Sequence, residues 1–291
     1  MLKLNQVLMP VDLSKPSCDA LRHGAMLAAR WGARITLLYV RNPGRAGVVS
    51  SRGDLGAHVV ELMGDPARTI VEFADTLKPD LIMMSTHCYG PLRRLLRGSV
   101  TAKVLQEAAA PVWTIACTPG LAPPPVRSPQ RIICAVDRVS PASGALRWAS
   151  RLAKEFQAAL TILHVIESLD PRTYTYYLSP EWRRQEIASA RLAVKKMAAA
   201  AKVDAEIWVE RGPVALTVPD VAREIGADLL VIGRAGRKHA VDGRLTNAYA
   251  MIRESPCPVL SVDDCDASDM DAEERWEDSG RASTSPALRA L

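Results

Sequence analysis

The stretch QVLMPVD at Gln6–Asp12 is answered by RIICAVD at Arg131–Asp137, and ITLLYV at Ile35–Val40 by LTILHV at Leu160–Val165. Both pairs are displaced by 125 residues, and the same displacement puts Pro16 on Pro141 and Ala20-Leu21-Arg22 on Ala145-Leu146-Arg147. Self-similarity at a fixed spacing decides architecture before any single element does, because it means one structural unit made twice. Further along, the displacement grows to 148: Gly64 falls on Gly212, Asp80-Leu81 on Asp228-Leu229 and Ser85 on Gly233. The second unit thus carries 23 additional residues.

Working outward, short β-branched runs alternate with segments of helical period, the pattern of a parallel sheet covered by helices on both faces, and the fold class is α/β. Unit one predicts strand QVLMPVD, helix Ser17–Trp31, strand ITLLYV, strand HVVELM, helix Ala67–Leu77, strand DLIMMST, helix Ser99–Ala109 and strand PVWTIA; unit two repeats that order and closes on PVLSVD. The additional residues fall around Ser179–Lys202, where Pro180 and Glu181 suit a helix start and Lys195-Lys196 its later turns. They predict a helix that unit one lacks, since RNPGRAGVVSSRGDLGA at Arg41–Ala57 reads as a loop. TPGLAPPPVRSPQ at Thr118–Gln130 reads as a semi-rigid linker. The expected organisation is a first domain at 1–118, a linker at 119–130, a second domain at 131–263 and an acidic, disordered tail at 264–291.

Composition bounds the function. Hydrophobic residues are 48% and charged residues 24% of 291, which fits a globular chain and excludes a wholly disordered one. The net charge of +5 conceals an asymmetry: Asp263–Asp278 holds nine carboxylates and one arginine, so the folded part is more basic than the total. That balance suits a phosphate-bearing ligand and equally an ordinary solvated surface. No apolar run approaches the ~18–20 residues that span a bilayer, and MLKLNQVLMPVD is unlike a signal peptide, so a cytoplasmic location without membrane attachment is expected. The six cysteines form no CxxC pair, which points to reduced thiols rather than a disulfide framework or a metal site.

Two constellations invite a chemical reading. Asp12 and Asp137 close the first strand of each unit, where a carboxylate can accept hydrogen bonds from a ribose or a base edge, or can cap the following helix. The fourth strand runs into STHCYGPLRRLLRGSV (Ser85–Val100) in unit one and GRAGRKHAVDGRLTN (Gly233–Asn247) in unit two. Arg93, Arg94, Arg97, Arg234, Arg237, Lys238 and Arg244 make these segments basic, which complements phosphates or simply faces water. His87, Tyr89 and His239 lie in them without a partner at any recognised catalytic spacing. There is no GxSxG, HExxH or GxxxxGK[ST] motif, so no catalytic residue is assigned.

With the strand-end Asp, the GDPA of Gly64–Ala67 and the closing Pro-Val strands, these segments resemble the universal stress protein family over nearly all of residues 3–263. The resemblance implies two tandem, doubly wound, parallel five-stranded sheets of the adenine nucleotide alpha hydrolase-like kind, paired through their last strands as a pseudo-dimer within one chain. Further self-association, as a homodimer, would use other surfaces. Nucleotide-binding members share G-x-x-G, nine residues, then G-S or G-T. Glycine lets backbone N–H groups approach phosphates, and a helix start adds further donors. Unit one keeps Gly98-Ser99 but has Ser85 and Cys88 in place of the first two glycines; unit two keeps Gly233 and Gly236 but offers Thr246-Asn247 at the end. By the resemblance, Asp12, Val40, Ser85, His87, Gly98, Ser99 and Val100 line one site, and Asp137, Val165, Gly233, Gly236 and Thr246 the other. The ligand implied is ATP or AMP without an evident metal site, in a regulatory stress-response role. Alternatives are a ligand-free scaffold for an unidentified protein partner and a slow ATP hydrolase. Few aromatics and no reading motif argue against nucleic acid.

Overall fold

The computed structural model describes residues 3–12, 15–41, 57–87, 100–117, 128–137, 143–167, 180–234 and 244–263. Most of the linker, the acidic tail, Cys88, Gly98, Ser99, Gly236 and the loop residues Arg93, Arg94, Arg97, Arg237, Lys238, Tyr89 and His239 lie outside them.

Unit one runs β1 (Gln6–Val11), α1 (Lys15–Trp31), β2 (Arg34–Arg41), β3 (His58–Met63), α2 (Pro66–Leu77), β4 (Leu81–His87), α3 (Val100–Glu107) and β5 (Val112–Cys117). Unit two runs β6 (Arg131–Val136), α4 (Ser143–Phe156), β7 (Ala159–Glu167), α5 (Pro180–Ala200), β8 (Glu206–Gly212), α6 (Val214–Glu224), β9 (Leu229–Arg234), α7 (Arg244–Glu254) and β10 (Val259–Asp263). The additional segment of unit two is the helix α5. Helix α1 begins two residues before the expected Ser17, because Pro16 is tolerated in a first turn, where its missing N–H is not needed. Among the described residues no helix is long and apolar enough to cross a membrane.

The strands form one ten-stranded sheet in the order β3-β2-β1-β4-β5-β10-β9-β6-β7-β8. Pairing is parallel throughout each half and antiparallel only at the join, where Trp113 of β5 faces Leu260 of β10. The two halves are therefore doubly wound five-stranded sheets united by their last strands, as expected. Alternate strand residues feed two cores, with Val7 and Met9 on the face covered by α1, α4 and α5, and Leu8 on the face covered by α2, α3, α6 and α7. Each core contains residues of both units, so neither face is interrupted at the join.

The repeated Asp-Leu pair explains itself at the amino ends of the strands. Asp80 Oδ2 accepts the backbone N–H groups of Asn5 (2.7 Å) and Gln6 (2.8 Å), and Asp228 Oδ2 those of Gln130 (2.9 Å) and Arg131 (3.0 Å). GDPA is likewise a turn: Asp65 caps α2 by accepting the Arg68 N–H at 3.0 Å, with Pro66 in the first turn. Gly64 and Gly212 adopt φ of +155° and +150°, which L side chains rarely adopt, and a Cβ there would also lie 2.6 Å from Thr69 Oγ1 and 2.5 Å from Thr217 Oγ1, so both units favour glycine at the same place.

One asymmetry bears on the ends of the sheet that matter for function. The β6–β9 ladder runs from Ile132↔Leu229 to Ala135↔Ile232, whereas β1–β4 stops after Val7↔Leu81 and Leu8↔Ile82. The two lost pairs are those of Met9 and Pro10, and unit one has Pro10, which has no N–H to donate to a ladder, where unit two has Ala135. Pro10 still registers with Leu38 of β2, so β1 parts early from β4 alone.

His23 of α1 is buried at 7% exposure, its ring centroid 6.3 Å from that of Trp113, and Nε2 has no hydrogen-bond partner among the described residues. Burial lowers its pKa, so the folded protein holds it neutral where the unfolded chain would protonate it. Its contribution is complete above about pH 6.5 and is lost as the pH falls below that value, because the unfolded state then binds more protons. The wild-type urea midpoint should fall on acidification, this residue adding a slope of at most about 1.4 kcal/mol per pH unit. His23→Phe should flatten that part of the profile; an unchanged profile would show that His23 is not its source.

Candidate functional site

In a doubly wound sheet a crevice opens where neighbouring strands send their chains to opposite faces. Here β1 leads through α1 to β2 on one side, and β4 leads through α3 to β5 on the other; α1 and α3 lie on opposite faces. The same division recurs between β6 with α4 and β9 with α7. Of the expected site residues, the described ones Asp12, Val40, Ser85, His87 and Val100 in unit one and Asp137, Val165, Gly233 and Thr246 in unit two fall at or beside these carboxyl ends.

In unit one, Asp12 follows β1 directly and is exposed. Ser85 and Thr86, near the end of β4, are buried at 6% and 4% exposure. The Ser85 carbonyl accepts a hydrogen bond from Thr101 Oγ1 at 3.5 Å, which ties the first turn of α3 to the strand, and Thr86 Oγ1 donates to the Ile115 carbonyl at 3.4 Å. Val40 at the end of β2 and Val100 at the start of α3 are half-buried against the same core. His87 closes β4 in register with Cys117. Asp12, Val40, Ser85 and Val100 therefore share the carboxyl end of the sheet, and the described part of α3 begins one residue after Gly98-Ser99. The shorter β1–β4 ladder, ended by Pro10, is at this same end.

In unit two, Asp137 is exposed after β6, Val165 is buried in β7 at 8% exposure and Gly233 is half-buried in β9. His164, buried at 6% exposure, donates Nδ1–H to the Val136 carbonyl at 3.0 Å and so fixes the backbone immediately before Asp137. Tyr39 occupies the corresponding place in unit one. Thr246 lies on α7.

Arg234 departs from the sequence reading. Instead of standing beside a phosphate, its guanidinium is turned into the join between units, 3% exposed as a residue, and grips the far end of α3. Nη1 donates to the Leu105 carbonyl at 2.8 Å, and Nη2 to those of Ala108 at 2.6 Å and Ala110 at 2.9 Å. Leu105 is among the last carbonyls of α3, which a helix leaves without intrahelical donors, while Ala108 and Ala110 belong to the connection that follows; a cation at this end is favoured by the helix dipole. Tyr249 of α7 reaches the same helix, its hydroxyl donating to the Ala102 carbonyl at 2.6 Å. The available signal was position: Arg234 is the last residue of an apolar strand run, LLVIGR, rather than the first of the loop.

Among the described residues no group of three or more His, Cys, Asp or Glu side chains could hold a metal ion. Cys257 is buried, and burial pushes its thiol up to about 11, so it has little thiolate character.

Comparison with known proteins bears on the whole arrangement. The universal stress protein family matches residues 3–56, 48–116 and 129–263. A universal stress protein of Synechocystis sp. is 32% identical over 136 residues, covering 45% of this chain and 83% of that protein. One from Methanocaldococcus jannaschii is 27% identical over 137 residues, covering 38% of this chain and 81% of its own. The crystal structure of a universal stress protein from Archaeoglobus fulgidus superposes with a TM-score of 0.65 at 20% identity, over 91% of this chain and 98% of that one, so the likeness in fold spans both units.

Replacing Arg234 by Met keeps much of the side chain's volume and removes all three donations. Hydrogen bonds from a charged donor contribute about 1.5–3 kcal/mol each, not additively, and two buried carbonyls and one part-buried one would be left without this donor. Arg234→Met should lower the unfolding free energy by about 3 kcal/mol in urea titrations. A loss below about 0.5 kcal/mol, the range of an ordinary surface substitution, would contradict the clamp.

Proposed function

The chain belongs to the universal stress protein family, and from that premise we propose that it binds an adenine nucleotide, ATP or AMP, at one or both carboxyl-end crevices and acts as a regulatory module of the stress response. The observation that carries this reading is the placement of Asp12 and Asp137, one at the end of each unit's first strand, on the edge of the crevice. A carboxylate there accepts hydrogen bonds from ribose hydroxyls or the adenine amino group. Small residues at the end of the neighbouring strand, Ser85 and Gly233, admit a ligand close to the backbone.

The residues present fit such a ligand unevenly. In unit one, α3 starts beside Gly98-Ser99 and would offer its free N–H groups to phosphate oxygens, and its first turn is anchored to β4 through Thr101. In unit two Gly233 and Gly236 retain the small residues, and Thr246 on α7 would take the place of Ser99. We assign the two units to residues 1–118 and 131–263, joined by 119–130 and followed by the acidic tail 264–291. Without the lysine of a GxxxxGK[ST] loop, and with no side chain assigned as a general base, these sites suit retention of the nucleotide, and any hydrolysis would be slow.

A scaffold role without ligand is the second reading, favoured by the exposed Trp182 and Leu192 on α5, the helix added to unit two. Release of nucleotide separates the two. Freshly purified protein, denatured and analysed by chromatography and mass spectrometry, should yield ATP or AMP approaching one equivalent per competent site. Asp12→Ala and Asp137→Ala should each weaken titrated ATP binding about tenfold at its own site, the loss of one or two hydrogen bonds from a charged acceptor. Protein that arrives empty and shows no heat with added ATP would overturn the nucleotide reading.

A further inference from the structure

The join between units has a local two-fold axis, and residues that the repeat makes equivalent meet across it. Thr114 Oγ1 donates to the Val259 carbonyl at 3.1 Å, and Ser261 Oγ to the Val112 carbonyl at 3.4 Å. Thr114 and Ser261 are equivalent, as are Val112 and Val259, each pair being 147 residues apart. The same hydrogen bond is thus made twice, in opposite directions, about the facing pair Trp113 and Leu260, themselves 147 apart. A second point on the axis lies between α1 and α4. Arg30 meets Glu155, and Trp31 stacks at a tilt on Phe156 with ring centroids 6.1 Å apart; both pairs are separated by 125 residues.

A pair of identical units joined this way would set each axial residue against its own copy. The Thr114 and Ser261 hydroxyls would tolerate that, since either like pair reproduces their bonds. The charged contact and the central strand contact would not. Arg30 donates Nη2–H to the Glu155 carbonyl at 2.8 Å, its Nε stands 3.7 Å from the Glu155 carboxylate, and its guanidinium lies 5.2 Å from the Phe156 ring centroid. Two copies of unit one would bring Arg30 against Arg30. Two copies of unit two would bring Glu155 against Glu155, a carboxylate whose side chain is only 6% exposed. Two Trp113 indoles would compete for the place now shared with Leu260. The clamp on α3 is one-sided as well: the residue equivalent to Arg234 is Thr86, and that equivalent to Tyr249 is Ala102, neither long enough to reach across.

We propose that this surface is built for an unlike partner: unit one accepts unit two and rejects a second copy of itself, and unit two likewise. Selectivity comes from penalties on the like pairs, charge against charge at the α1–α4 contact and bulk against bulk at the strand contact, together with donors present on one side only. The surface is therefore closed to self-pairing of either half, and the chain does not add a second copy through β5 or β10. None of this depends on whether a nucleotide is bound.

The test uses the whole chain. Arg30→Glu sets a carboxylate against Glu155, whereas Arg30→Gln removes the same bonds without the repulsion. The position is exposed enough, at 41%, to accept either residue. Arg30→Glu should have a lower urea midpoint than Arg30→Gln, with a folding constant on the order of tenfold smaller. Adding Glu155→Arg to Arg30→Glu should recover at least half of the combined losses of the single variants. Equal midpoints for the Glu and Gln variants, or strictly additive losses in the double variant, would overturn the proposal. As an independent measurement, a protease site placed in 119–127 allows the folded chain to be cut. Native mass spectrometry of the cut protein should show the two fragments only as a one-to-one pair; pairs of identical fragments would overturn the proposal by themselves.

Discussion

The structure depends first on the antiparallel pairing of β5 with β10. A parallel sheet of five strands covered on both faces still ends in two open edges, and an edge of apolar sequence such as VWTIAC or VLSVD invites uncontrolled pairing. Joining the two last strands removes one edge from each unit and makes one sheet of ten. Both cores then run across the join, and Trp113, Val112, Leu260 and Val259 are all excluded from solvent. The hydroxyls of Thr114 and Ser261 are satisfied by carbonyls of the opposite strand, so the antiparallel ladder is reinforced by side chains without leaving these polar groups unpaired in the core.

Most of the fold was legible because it is written twice. An alternation of β-branched runs and helical segments is ambiguous in one copy, but two copies displaced by a constant spacing restrict where each element begins and ends. Strand-pair runs such as ITLLYV and LTILHV, buried on both faces, could only be interior strands of a parallel sheet. Features that differ between the copies were the ones misjudged or missed. Pro10 interrupts a hydrogen-bond ladder that Ala135 permits, an effect visible only once β4 is known to be the neighbour on that side. Arg234 was read with Arg237 and Lys238 as charge that complements phosphates or faces water; its partners are carbonyls more than 120 residues away in the other unit. No local pattern carries that information. The repeated Asp80 and Asp228, by contrast, were recognised as equivalent without their task being evident, since accepting two backbone N–H groups at a strand start leaves no mark on sequence beyond the residue itself.

The candidate crevices were placed by topology more than by motif. Strand order fixes where β1 and β4, or β6 and β9, send their chains apart, and the acidic residues at the ends of β1 and β6 then fall at the crevice edge without further adjustment. Side-chain identity decides what such a place can do, and here the units diverge. Unit one opens earlier between its strands and begins α3 directly after Gly98-Ser99; unit two keeps its glycines and holds the Val136 carbonyl with His164.

Helix α3 connects these observations physically. Its first turn is tied to the end of β4 at the crevice of unit one, through Thr101 and the Ser85 carbonyl. The Leu105 carbonyl in its last turn and the Ala108 carbonyl just beyond it are held by Arg234, the residue after Gly233 at the crevice of unit two, and the Ala102 carbonyl of its first turn by the Tyr249 hydroxyl from α7. Eight residues of helix are thereby fixed at one end by their own unit and at the other by the second. A short helix of this kind has little stability of its own, so its position is set by those attachments and by burial of Val104 and Leu105 beneath it. The join that removes two sheet edges is thus also what orders the helix start at the first crevice. A one-unit version of this sequence would lose the Arg234 and Tyr249 contacts and, with them, part of what positions α3 beside the carboxyl end of β4.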